Sequence, residues 1–216
     1  MELFSIRIQR TFQLVSTVVQ GEKNILFVNM AWGLGLGIII DGNLYYGKSG
    51  FSGEFGHFCM FENEVLCHCG KKGCLETEAS GSAFHRILIE RYREGSNTIL
   101  AGKLDSGEEI SLGDLLEAVR KEDVLCIDIL EKMGVNLGKG IAGLMNIFNP
   151  ELVILGGTLS LAGEYISLPV KSAIRKYSLN LVNQDTEIKI SKLGERAGAF
   201  GACLLSRSKL LGMIHY

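Results

Sequence analysis

The chain has 216 residues, 47% of them hydrophobic and only two of them proline, with a formal net charge of −2. That length and apolar content suit one large domain with a buried core and exclude a long disordered chain. The near-neutral charge gives no basic bias for nucleic acid or an anionic membrane surface, and runs such as Ile38-Ile39-Ile40 are far too short to span a bilayer.

Residues 1–19 scatter Arg7, Gln9 and Arg10 among apolar residues and offer no small-residue cleavage site, so no signal peptide is expected and the chain reads as cytoplasmic. Residues 25–30 predict a buried strand and 37–41 a second. Asp41-Gly42-Asn43 is a hairpin signal leading to a third strand at 44–47. The glycine-rich stretch 47–56 must be a loop. Ser82 is placed to cap a helix through Arg93, with Phe84, Leu88 and Tyr92 on one face. Residues 94–109 are polar and read as a surface excursion. Ser111 and Asp114 have the spacing of a capping box opening a short helix.

The longest periodic segment is 123–148. Ile127, Leu130, Gly134, Leu137, Ile141, Leu144 and Phe148 recur three and four apart, which makes one apolar stripe. Gly134, Gly138, Gly140 and Gly143 should let another backbone approach it closely, and Asn149-Pro150 should end it. Residues 152–155 predict a fully buried strand, followed by Gly156-Gly157. A helix is expected over 164–177, with Pro169 in a first turn or at a break. A strand at 187–191 and a helix at 197–211 complete the pass. Alternating strands and helices in the second half argue an α/β fold with a partly parallel sheet.

Six cysteines are present, and three of them fall in Cys67-His68-Cys69-Gly70-Lys71-Lys72-Gly73-Cys74-Leu75-Glu76, shortly after Gly53-Glu54-Phe55-Gly56-His57. His57, Cys67, Cys69 and Cys74 form a complete tetrahedral ligand set for zinc, with glycines at the turns. Four protein ligands leave no position for a catalytic water, so the metal should be structural. Lys71 and Lys72 can offset the thiolate charge. A metal-bound His57 keeps one ring N–H in want of an acceptor, and a ligand hydroxyl could serve. Glu54 and Glu76 bracket the cluster and suit a polyhydroxylated ligand, because carboxylates accept strongly from hydroxyls. The remaining thiols, Cys59, Cys126 and Cys203, lie among apolar residues and are expected to be buried and free. Gly33, Gly35 and Gly37, and separately Gly156 and Gly157, each read equally well as phosphate contacts or as tight turns.

These blocks, with Asn149-Pro-Glu-Leu-Val-Ile-Leu-Gly-Gly157 and Leu193-Gly-Glu-Arg-Ala-Gly-Ala-Phe-Gly-Ala202, resemble the ROK (repressor, ORF, kinase) family over nearly the whole chain. That family holds bacterial glucokinases, amino-sugar kinases and sugar-responsive repressors. The resemblance implies the carboxy-terminal lobe of an actin-like, RNase H-like ATPase fold with an inserted zinc-binding loop. It implies sugar contacts from Glu54, His57 and Glu76, zinc ligation by His57, Cys67, Cys69 and Cys74, a second phosphate loop at Gly33, Gly35 and Gly37, and a nucleotide-side turn at Gly156 and Gly157. On this reading residues 22–216 are the sugar- and zinc-binding domain, and 1–21 are a divergent or non-native start.

The chain departs from the family kinases in three respects. It has no Asp-x-Gly-x-Thr phosphate motif. No aspartate precedes Asp41 to act as the base that takes the sugar hydroxyl proton, where Leu3-Phe4-Ser5-Ile6 stands instead. The loop that usually reads Gly-Thr-Gly is Ala31-Trp32-Gly33. No catalytic residue is therefore assigned. The leading expectation is a sugar-binding regulatory domain with structural zinc, homo-oligomeric, without direct DNA or membrane contact. An ATP-dependent sugar kinase lacking its amino-terminal lobe, and a remnant that only dimerises, are the alternatives.

Overall fold

The structure, a computed structural model, describes residues 21–191. Residues 1–20, the motif at 193–202, the helix expected at 197–211 and Cys203 lie outside the described residues. A five-stranded mixed sheet runs in the order β3-β2-β1-β4-β5. Its strands are β1 Ile25–Met30, β2 Leu34–Ile40, β3 Asn43–Leu44, β4 Leu152–Gly156 and β5 Glu187–Ile190. β1, β2 and β3 form an antiparallel meander, whereas β4 and β5 join β1 in parallel. The second strand begins three residues ahead of expectation. Pairing of Leu34 with Met30 and Gly35 with Asn29 draws the glycines into the ladder and leaves only residues 31–33 as the turn. β3 is shorter than expected.

Alternation within β1 splits its residues between two apolar faces. Leu26, Val28 and Met30 belong to the main core with Leu34, Leu36, Val153 and Leu155, while Ile25 and Phe27 join Ile39, Leu152 and Ile154 in a second cluster. Glu151 Oε2 accepts from the amides of Lys23 and Asn24, both at 2.8 Å, and so aligns the starts of β1 and β4.

The helices are α1 Glu76–Ala79, α2 Gly81–Arg93, α3 Ala101–Ser106, α4 Leu112–Arg120, α5 Val124–Phe148, α6 Glu164–Tyr177 and α7 Asn180–Asp185. Ser80, not Ser82, caps α2: its hydroxyl accepts from Ala83 N at 3.2 Å. The stretch expected as a surface excursion contains α3, anchored by buried Leu100 and closed by left-handed Gly107. The capping box of Ser111 and Asp114 forms as expected. Asp123 caps α5 and also accepts from Ile99 N and Thr98 Oγ1, at 2.7 and 2.9 Å. Burial opposes the charge on this carboxylate, yet these hydrogen bonds outweigh it and hold its pKa below the usual range.

The α5 stripe buries Leu130, Leu137 and Ile141 beneath the sheet, and α6 crosses it where side chains vanish. A Cβ at Gly138 would lie 2.6 Å from both Ala173 Cβ and Val170 O, and one at Gly134 2.8 Å from Pro169 Cβ. Gly140 instead faces Phe55 and Leu75, and Gly143 meets open space, so only two of the four glycines serve the α6 crossing. Pro169 sits inside α6, past its first turn, packed against Gly134. Cys126 is buried as expected, but Cys59 is exposed because it lies on the outer strand-like stretch of the cysteine loop.

Candidate metal and ligand site

The segment between β3 and α1 has little regular structure, and its shape comes from turns and a few cross-ties. Gly53 and Gly73 take positive φ values of 80° and 78°. A Cβ would meet Leu36 O at 1.9 Å in the first case and Phe61 O at 2.2 Å in the second. Only glycine satisfies both demands. Gly53 O accepts from Leu36 N at 3.0 Å, which docks the loop on β2 just before the 3-10 turn Phe55–His57. Beyond it the chain doubles back, with Cys59 opposite Cys74 and Leu66 opposite Lys72. Cys67 N bonds Lys71 O and Gly70 N bonds Cys67 O, closing a tight knuckle.

This folding brings together the four residues expected to bind a metal. One ligand atom from each of His57, Cys67, Cys69 and Cys74 lies within 4.8 Å of all the others. His57 Nδ1 is 3.5 Å from Cys67 Sγ, and Cys69 Sγ is 3.6 Å from Cys74 Sγ. Tetrahedral zinc with ordinary bond lengths sets such ligand atoms about 3.5–3.8 Å apart. The cluster can hold a metal ion, and its donor set fits zinc. Burial pushes the Cys67 thiol up, and burial with the neighbouring thiols pushes Cys74 up to about 12, while the Lys71 backbone amide draws Cys69 down. Crowded thiols of this kind ionise together readily only beside a strong positive charge. Lys71 adds to the field at Cys69, but Lys72 is paired with Glu64 on the surface rather than with the sulfurs.

The residues expected to contact a sugar gather at the same place. His57 turns Nδ1 to the sulfurs and Nε2 toward Glu54, whose Oε2 lies 3.7 Å away. Both side chains are about one-third exposed, at 30% and 34%. Glu76 opens α1 and is only 6% exposed. Its Oε2 accepts from Leu34 N at 3.0 Å, and its Oε1 lies 3.8 Å from Cys67 Sγ.

Of the glycines expected on the nucleotide side, Gly33, Gly156 and Gly157 lie at or just beyond the carboxyl ends of β1 and β4. Gly33 lies in the 31–33 turn, whereas Gly35 and Gly37 are within β2. Gly156 ends β4 opposite Asn29, and Gly157 follows at φ 86° against Met30 O. Gly156 also lies against the Phe27 ring, where a Cβ would come within 2.5 Å of it, which supplies a packing reason for that glycine. Asn29 went unnoticed in the sequence, although a lone amide in the apolar run 25–30 was a signal. Parallel β1 and β4 therefore deliver both loops to one end of the sheet, where ligands of open α/β folds bind.

A profile of the ROK family matches residues 13–209. The chain belongs to the ROK family. A glucokinase of Halalkalibacterium halodurans is 35% identical over 182 residues, covering 84% of this chain and 55% of the relative. A xylose repressor of Caldicellulosiruptor bescii is 32% identical over 198 residues, covering 90% and 48%. This ROK chain thus spans about half the length of the curated relatives it matches. The crystal structure of a ROK glucokinase from Streptomyces griseus, in complex with glucose and AMPPNP, superposes with a TM-score of 0.80 at 28% identity, covering 94% of this chain and 67% of that one. The mixed sheet and these neighbours fit an actin-like ATPase fold. No helix among the described residues is long and apolar enough to cross a membrane.

Proposed function

We propose that this chain is the carboxy-terminal, sugar-binding lobe of a ROK protein of the regulator type. Zinc on His57, Cys67, Cys69 and Cys74 would hold Glu54, His57 and Glu76 toward a hexose or amino sugar. The observation that carries this reading is the division of labour at His57. A metal bound at Nδ1, on the side of the sulfurs, would leave the ring proton on Nε2, which faces Glu54. The imidazole then donates to a sugar oxygen while Glu54 and Glu76 accept from hydroxyl protons. The metal supplies a fixed charge and a fixed ring orientation, and no step of a reaction.

Within this reading the chain binds without transferring phosphate. Phosphoryl transfer needs a placed base and charge-stabilising groups around the phosphate. The acids the described residues place at this site are Glu54 and Glu76, and the turn carries Trp32 in place of a hydroxyl. The kinase reading is favoured by one observation, the convergence of residues 31–33 with Gly156 and Gly157 at one sheet end, where ATP could lie. Self-association is supported by Ile147, Leu179 and Leu181, which are 73%, 62% and 77% exposed at one end of the molecule. Calorimetric titration of the metal-loaded chain with glucose, N-acetylglucosamine, N-acetylmannosamine and xylose tests the binding claim. Heat with at least one sugar is expected, and silence with all four contradicts it. A coupled ATP assay should show no turnover, and turnover decides for the kinase.

A further inference from the structure

We propose that Glu76 is a positioning residue that couples the sugar site to the turn between β1 and β2. The proposal rests on the sugar reading above and concerns how occupancy of that site reaches a second place in the fold. Glu76 is almost wholly buried, and its two oxygens face different structures. Oε2 holds the amide of Leu34, the first residue of β2, and Oε1 points toward Cys67 in the metal cluster. Gly56 fits tightly between them, since a Cβ there would lie 2.6 Å from Leu34 O and 3.2 Å from Glu76 Oε2. The 3-10 turn bearing His57, the Glu76 carboxylate and the start of β2 therefore move as one packed unit.

The far side of the turn is held by the same stretch of chain. Ala31 O accepts from Gly81 N at 2.8 Å, and Trp32 O accepts from Ser82 N at 2.9 Å. These are the first amides of α2, which would otherwise lack partners. Glu76 on α1 thus grips the turn at Leu34, and the start of α2 grips it at residues 31 and 32. A ligand hydroxyl that draws Glu76 shifts both grips together. A carboxylate hydrogen bond of this kind is strong in a buried setting, so the turn cannot ignore it. The coupling is reciprocal, so a group bound against the turn alters sugar affinity by the same factor.

Trp32 makes the idea measurable. It is the only tryptophan in the chain, is 49% exposed, and rests against His85 with ring centroids 5.7 Å apart. Its emission therefore reports the turn and its packing against the start of α2.

The test compares the full metal-loaded chain with Glu76→Gln and Glu76→Leu, checking zinc content in each. Glutamine keeps a carbonyl acceptor for Leu34 N, whereas leucine removes it at similar volume. Hydrogen exchange at Leu34 should quicken about tenfold to a hundredfold in Glu76→Leu and stay near wild type in Glu76→Gln. Saturating glucose or N-acetylglucosamine, followed by calorimetry, should shift wild-type Trp32 emission. Glu76→Leu should bind more weakly and show no shift at saturation. Heat of binding without an emission shift in wild type overturns the coupling alone. An unchanged Leu34 amide, or a full shift in Glu76→Leu, overturns it too. No heat with any sugar overturns the sugar reading and the coupling with it. If Glu76→Leu fails to take up metal, Glu76→Asp is read in its place: its shorter reach should quicken Leu34 exchange and shrink the emission shift, and an unchanged amide with a full shift overturns the coupling.

Discussion

Two regions of this molecule are ordered by different physics. The sheet and the α5–α6 pair are held by apolar side chains packed at close quarters, with Gly134 and Gly138 setting how near the helices come. Residues 47–75 contribute few core side chains. They are shaped by glycines at positive φ and by cross-ties such as Leu36 N to Gly53 O, and they gather four groups that can hold a metal ion. The candidate site is built almost wholly from the second region and bolted to the first through Glu76 and Phe55. On the function proposed above, one ion would make or unmake the ligand site without disturbing the core that carries it.

The strongest way to break this contrast is to remove a metal ligand. On the zinc reading, Cys74→Ser should abolish zinc uptake and release amide protection across residues 47–75, because a metal would pin the knuckle that the backbone bonds alone fold. Protection in β1, β4 and α5 should persist, and elemental analysis with hydrogen exchange reads both outcomes. If the core amides open together with the loop, the two regions are one cooperative unit. The next largest effect belongs to the core. Gly138→Ala forces a methyl into Ala173 and Val170 O and should cost about 1–3 kcal/mol, seen as a lower urea midpoint. Its counterpart Gly143→Ala, in the same helix but facing open space, should be neutral or stabilising by up to ~1 kcal/mol. An equal gain in stability at both positions would show that helix propensity, not the α6 contact, governs them.

The smallest effect is a surface one. Lys103 above all, then Ser111, holds Asp114 down to about 2. The folded pKa is below the unfolded one, so this contribution is present above roughly pH 4 and is lost as pH falls toward 2. Asp114→Asn should flatten the acid limb of stability over that window in urea titrations. It should leave metal content unchanged.

Much of this was legible in the sequence, for identifiable reasons. The cluster of His57, Cys67, Cys69 and Cys74 was readable because metal ligands announce themselves by residue type and spacing. α5 was readable because its stripe is long and keeps one period. The 31–37 glycines misled about strand limits, since a glycine inside a ladder and one in a loop look alike in a string. Pairing partners, here Asn29 and Phe27, decide between them. Ser80 and Ser82 are both competent caps, and the choice depends on the Ala31 and Trp32 carbonyls that occupy the neighbouring amides. The exposure of Cys59 and the bond from Glu76 to Leu34 depend on tertiary placement across 15 and 42 residues, which no local pattern encodes.

On the proposed function a metal poses the sugar site. That claim is tested most directly by titrating the same four sugars into the zinc-loaded chain and into the chain stripped by a chelator, at one pH. Binding is expected in the loaded protein, with at least about a tenfold loss of affinity on stripping, restored when zinc is returned. Equal affinity in the loaded and stripped forms would contradict it.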